Sequence, residues 1–195
     1  MLSLSRSLSS VRKALSNVGI RKASKTTARQ RRLNLPQALV MALRPIQFVD
    51  HGLLREIYQD AIETTAPQLY SEEQVRAWSA LAWLPNVLDR TFAEGSGWIS
   101  GAGEAFAIRY PDDRLALLYC RGQAARRGHG TALLQRIELD AQQAGVDRLT
   151  TEASQLSRPL LERCGWQLIE PETIAIGGVL FERYRMAKFL RQCAS

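Results

Sequence analysis

The stretch ARRGHGTALL, residues 125 to 134, places two arginines and two glycines directly ahead of a run of helix formers. A helix N-terminus of this kind is an anion site, because free backbone N–H groups and the positive end of the helix dipole point the same way. Glycine lets the backbone approach an anion that a side chain would hold away. Arg126 and Arg127 add charge-assisted donors. The spacing excludes two nucleotide motifs. A Walker loop has four residues between its glycines and then a lysine, whereas five residues separate Gly122 from Gly128 here and His129 stands at the lysine's place. A dinucleotide fingerprint would put its third glycine at Leu133. Two readings stay open on these ten residues: a phosphate cradle, or a surface turn with solvated arginines.

Other groups capable of chemistry are few. Cys120, Cys164 and Cys193 lie far apart without a CxxC pair, which argues against a disulfide framework or zinc site and fits a reducing compartment. His51 and His129 are the only histidines, too few for a His-rich metal centre, and no metal is expected. A Cys120 nucleophile with His129 as its base is the weaker reading beside a packed strand cysteine. Tyr119, Glu104, Asp113 and Glu152 fall on or beside the central strands expected below and are the candidate proton carriers. Alternation along a strand sends Tyr119 and Cys120 to opposite faces, so only one of them faces a given site.

The elements that position these groups are legible in part. After Asp50, residues Leu54, Ile57, Tyr58, Ala61 and Ile62 line one helical face. A second helix opens at SEEQ, where Ser71 can cap and Gln74 can reach back; Val75, Trp78 and Ala82 follow on one side until Pro85. A short third helix is expected near Asn86 to Ala93. GWIS and EAFAIR then read as two strands joined through a Gly-rich turn, and LALLYC as a central strand covered on both faces. Thr131 to Ala144 reads as a helix burying Leu134, Ile137 and Ala141, stopped by Gly145. Arg148 to Glu152 is a short strand, Ser157 opens a short helix ending near Gly165, and the segments 166–176 and 179–187 flank Gly177 and Gly178 as a hairpin. This order predicts an α/β (α+β) domain with a mixed, largely antiparallel central sheet flanked by helices and closed by a C-terminal β-hairpin.

Charge divides the chain. The first 45 residues hold ten of the 26 Lys and Arg and no acid, which leaves 16 basic groups against 19 acidic in the remaining 150, a net charge of about −3. Residues 1–40, basic and rich in Ser and Leu, are expected to be an extension outside the fold: a transit peptide, a disordered arm, or sequence upstream of a start at Met41. Residues 41–195 are expected to form the domain. With the basic groups in the extension, no nucleic-acid partner is expected. No apolar run approaches the ~18 to 20 residues of a membrane span. A cytoplasmic location is expected, or an organellar one if the extension is a transit peptide.

Across Leu43 to Lys188 the sequence resembles the GNAT superfamily of acyl-CoA-dependent N-acyltransferases. That family's pyrophosphate loop, Q/R-x-x-G-x-G/A, corresponds to residues 125 to 130. YSEEQVRAW, LTTEAS, SRPLLERCGW and GGVLFERYRMAK are similar, in order and spacing, to a bacterial single-domain branch. The resemblance implies acetyl-CoA as donor, with its pyrophosphate on Arg126, Arg127, Gly128, His129, Gly130 and Thr131 and its pantetheine arm paired with the strand at Leu118 and Cys120. An acceptor amine, on a small molecule or a peptide, would attack the thioester directly, in a monomer or homodimer. An amine of pKa ~10.4 must first lose a proton, and Glu152 and Tyr119 are the residues chosen for proton transfer. Tyr70, Trp78 and Trp83 are candidates for an acceptor wall. Two departures stand out: Ala125 replaces the Gln or Arg that opens the motif, and Leu160 and Leu161 stand where many relatives carry an acid tyrosine. Those departures suggest the alternative of a non-catalytic CoA-binding sensor or interaction module.

Overall fold

The computed structural model describes residues 41–190. The basic extension 1–40 and Cys193 lie outside the described residues. Leu43–Pro45 (β1), His51–Thr65 (α1), Glu72–Ser79 (α2) and Asp89–Glu94 (α3) precede the strands Ser96–Ser100 (β2), Ala105–Arg109 (β3) and Leu115–Cys120 (β4). His129–Gln143 (α4), Arg148–Ala153 (β5), Arg158–Arg163 (α5), Gln167–Ile176 (β6) and Val179–Phe189 (β7) follow. The capping box of α2 forms as its sequence demands: Ser71 Oγ accepts from Gln74 N–H and Gln74 Oε1 accepts from Ser71 N–H. None of the described helices is long and apolar enough to cross a membrane.

The strands make two antiparallel sheets, β1-β2-β3-β4 and β5-β7-β6. β1, which sequence periodicity does not reveal, is three residues long and pairs Leu43 to Pro45 with Ser100 to Trp98. The sheets touch through a parallel bridge between Arg114 and Thr150. There Thr150 N–H donates to Asp113 O (2.9 Å) and Thr151 Oγ1 donates to Leu115 O (2.8 Å). Beyond this join no β4–β5 ladder continues among the described residues, so the facing edges of the two strands are left open.

Each face of the sheets buries its own core. One face packs α1 through Leu54, Ile57, Tyr58 and Ile62, and α2 through Val75 and Trp78, against Phe106, Ile108 and Phe181, with Leu117 and Tyr119 of β4 joining from below. The other packs α4 through Leu133, Leu134, Ile137 and Ala141 against Leu149, Ala153 and Met186, with Leu118 and Cys120 alongside. Strand alternation therefore separates Tyr119 from Cys120 as expected. Truncating Leu134, which is fully buried, would cost about 2–5 kcal/mol. α4 is also pinned by polar contacts: Trp98 Nε1 donates to Asp140 (2.6 Å), and the Arg136 guanidinium lies 3.9 Å above the Trp98 ring.

A polar clamp ties β1 to the start of α1. Both carboxylate oxygens of buried Asp50 accept from the Arg44 guanidinium at 2.7 Å, and Gln47 N–H adds a third bond at 2.8 Å. The Arg44 hydrogen bond is the main reason that the Asp50 carboxyl sits below the usual carboxylate range.

Candidate active site

The open edges of β4 and β5 form a cleft of about 1140 Å³, bounded also by α1, α2, the loop into α4, and α5. Its backbone is set by an irregularity in β4. Opposite β3, Ile108 pairs with Leu117 and Arg109 with Leu115, so Ala116 is an extra residue in the strand. Past it, Arg121 N–H donates to Glu104 O (2.8 Å) and Tyr119 lies opposite Phe106. Because hydrogen-bonded positions alternate, Leu118 and Cys120 turn their N–H and C=O groups away from β3 and into the cleft. These are the two positions expected to pair with an extended cofactor arm.

At the mouth of the cleft the chain turns into α4. Arg126 (φ 59°) and Gly128 (φ 94°) both adopt left-handed backbone, and Gly128 is the N-cap. A non-glycine residue in this region costs about 1–3 kcal/mol, so Arg126 is held there by its surroundings. Ala132 N–H bonds back to Gly128 O at 3.0 Å, which leaves the N–H groups of His129, Gly130 and Thr131 at the free end of the helix. A Cβ on Gly130 would lie 2.8 Å from Leu160 Cδ2. The loop thus presents bare amides with little room for side chains, and the arrangement fits a diphosphate. Arg126 lines the cleft; Arg127 is exposed and outside its lining. The His129 ring is occupied elsewhere, its Nδ1 lying 2.8 Å from Ser100 Oγ. Burial, reinforced by Asp60 and Glu104, pushes the Cys120 thiol up to about 11. With its proposed base engaged by Ser100, Cys120 is a packed thiol and not an activated nucleophile.

The opposite wall is aromatic. Tyr119 and Trp78 line the cleft with ring centroids 6.4 Å apart, and Tyr58 packs behind Tyr119 at 4.3 Å. Burial pushes the Tyr119 phenol up to about 12, overriding hydrogen bonds with Tyr58 and Trp78 that act in the other direction. Burial also raises the Tyr58 phenol, more strongly. Glu152 lines the cleft, and its Oε2 accepts from Arg114 Nε (2.7 Å) and from Arg114 Nη2, while its Oε1 has no hydrogen-bond partner among the described residues. Glu104 and Asp113 lie outside the lining. Of the three expected wall aromatics, Trp78 lines the cleft. Tyr70 is buried behind it, 5.4 Å from Trp78, and its hydroxyl accepts from Gln155 N–H. Trp83 does not belong to the site: it is 54% exposed and donates to Gln59 on the outer side of α1.

The model of the acetyltransferase (GNAT) domain matches residues 68–188. The chain belongs to the GNAT family. Its chemistry is therefore acetyl transfer, that of an N-acetyltransferase. Among curated proteins it is similar to the uncharacterized N-acetyltransferase YafP of Escherichia coli, 26% identical over 149 residues that span 74% of this chain and 93% of that protein. A GCN5-related N-acetyltransferase from Rhodopseudomonas palustris has the same fold, with a TM-score of 0.73 and 27% identity over 76% of this chain and 95% of that one. YncA of Salmonella typhimurium, solved with its cofactor acetyl-CoA, superposes with a TM-score of 0.54 at 18% identity, covering 80% and 96%.

The GNAT fold of this chain carries its own version of the site. Leu161 is buried and Leu160 packs beside Gly130, so the helix after β5 offers no phenol to the cleft. Ala125 lines the cleft without a side-chain donor. Sequence reasoning missed the loop residues Gln68, Leu69, Gln155 and Leu156 that close the cleft, since nothing in a loop's composition says where it returns. Tyr58 was readable as part of the α1 stripe, but its pairing with Tyr119 depends on how the helix docks.

Proposed function

We propose that this enzyme moves an acetyl group from acetyl-CoA to a primary amine by direct attack on the thioester. The observation that carries the reading is the pairing of two backbone features in one cleft: the outward-turned N–H and C=O groups of Leu118 and Cys120, and the free amides of residues 129 to 131 beyond Gly128. An extended arm ending in a diphosphate satisfies both. Arg126 supplies a cation at the diphosphate, with Arg127 adding positive charge from the exposed side of the loop.

Acetyl-CoA supplies the activated acyl group; the chain's task is to bind it, orient the amine and manage protons. The amine loses its proton to the free Oε1 of Glu152, whose Oε2 is steadied by Arg114. Tyr119 stays protonated at neutral pH and serves as the proton donor to the departing thiolate. A strand amide facing the cleft at Leu118 or Cys120 stabilises negative charge on the carbonyl oxygen. The new amide C–N bond replaces the thioester C–S bond, the second proton lost by the attacking nitrogen restores the Tyr119 phenol, the first passes from Glu152 to solvent, and the products are the N-acetyl amine and free CoA.

Calorimetry of the full chain with acetyl-CoA, followed by release of CoA thiol in the presence of amines, tests the proposal. Binding with amine-dependent thiol release is expected. Absence of binding would overturn the cofactor assignment, and binding without release across amines would favour a CoA-binding sensor.

A further inference from the structure

The cleft has two chemically different ends. Its charged lining residues, among those described, are Arg126, Glu152 and Arg163. Arg126 belongs to the loop into α4, and Arg163 sits on α5 one turn beyond Leu160, which packs against Gly130. Both cations therefore stand with the diphosphate cradle. The end under α1 and α2 is walled by Ile62, Leu69, Trp78, Tyr119 and Leu156. The polar groups there, Thr65 and Gln68, are neutral. Glu152 is the one acid among the described lining residues, and Arg114 already occupies one of its two carboxylate oxygens.

This distribution discriminates among amines. An ammonium approaching the aromatic faces of Trp78 and Tyr119 is attracted by their ring quadrupoles and then meets Glu152. A carboxylate beside that amine would be desolvated where the neighbouring cation, Arg114, lies outside the lining and is already engaged by Glu152, and it would be repelled by Glu152. A second ammonium would find no second acid among the described lining residues. An apolar or aromatic body, by contrast, replaces water against five apolar or aromatic side chains. Resting on the acetyl-transfer reading above, we infer that the acceptor is a small monoamine with an apolar or aromatic body and no carboxylate, and that Trp78 determines this specificity.

Rates of CoA release by the full chain are to be compared for phenethylamine, phenylalanine and spermidine. These share an aliphatic primary or α-amine and differ by an added carboxylate or added cations. The expected kcat/KM for phenethylamine exceeds that of either competitor by about tenfold to a hundredfold, the cost of leaving a buried polar or charged group unpaired. Trp78→Ala should raise KM for phenethylamine about tenfold while leaving the Kd for acetyl-CoA within about twofold; a merely structural role would weaken both. Phenylalanine or spermidine matching phenethylamine overturns the inference and leaves acetyl transfer standing. If acetyl-CoA binds and none of the three amines releases CoA, amine acetylation itself fails and this inference fails with it.

Discussion

Substituting Gly128 by asparagine and by aspartate separates the shape of the phosphate loop from its electrostatics. The two side chains are nearly the same size, and both tolerate left-handed backbone better than other non-glycine residues. At φ 94° they therefore share a similar strain penalty. A Cβ at this position meets Met41 Cε at 3.0 Å, the far end of a flexible side chain, and that cost is shared as well. What differs is one negative charge. With the carboxylate about 6 Å from the diphosphate and an effective dielectric of about 20 to 40, each pair of unit charges repels by about 1.4 to 2.8 kcal/mol. Gly128 is exposed, so the lower figure applies, and the Asp variant should bind acetyl-CoA about tenfold more weakly than the Asn variant. Calorimetric Kd values in low salt measure the ratio. It should shrink in 1 M salt, where the screening length falls to about 3 Å. Asn and Asp variants with Kd values within twofold of each other in low salt would refute the assignment of this loop to an anion.

Tyr119→Phe should lower kcat by about tenfold to a hundredfold with the Kd for acetyl-CoA unchanged. Because the phenol stays protonated until about pH 12, the wild-type pH–rate profile should rise as the amine deprotonates and show no falling limb below about pH 11. A falling limb between about pH 8 and 10 that disappears in Tyr119→Phe would contradict that protonation state. Asp50→Asn should destabilise the fold by about 1–3 kcal/mol, read as a urea or thermal melt. The folded-state pKa of Asp50 is depressed, so its stabilisation is complete above the unfolded value of ~3.9 and is lost as pH falls through the lower folded value. The gap between wild type and variant should therefore close in acid; a gap unchanged at about pH 2 would mean that the carboxylate clamp contributes nothing.

What the sequence made legible was local. Ser71 and Gln74 announced their capping box, the apolar run LALLYC announced a strand covered on both faces, and the consecutive Tyr119 and Cys120 were bound to face opposite ways. Trp83 shows where the reasoning breaks. α2 stops at Ser79 and gives way to a 3-10 turn over Ala80–Ala82, which advances about 120° per residue in place of about 100°. Either winding puts a residue five positions after Trp78 about 140° to 200° round the axis from it, so Trp83 leaves the stripe of Val75, Trp78 and Ala82 and faces solvent. The pairs that finish the site, Arg114 with Glu152 and Ser100 with His129, join residues 38 and 29 positions apart. Their meeting depends on strand register and helix docking, which no window of sequence contains. β1 escaped for a related reason: three residues are too few to show a period, and β2 supplies the partner that makes them a strand.

The extra residue at Ala116 gives this site a genetic buffer. A substitution on β4 changes one side chain, whereas deleting Ala116 would join Leu115 directly to Leu117, which already sit opposite neighbouring residues of β3, and would leave the register of everything that follows intact. Tyr119 would stay on the amine side, Cys120 on the α4 side, and the amides now open to the cleft would remain free of β3. Acceptor preference can thus drift through point changes at positions such as Trp78, while the register that separates the two halves of the reaction survives the loss of a single codon at the bulge.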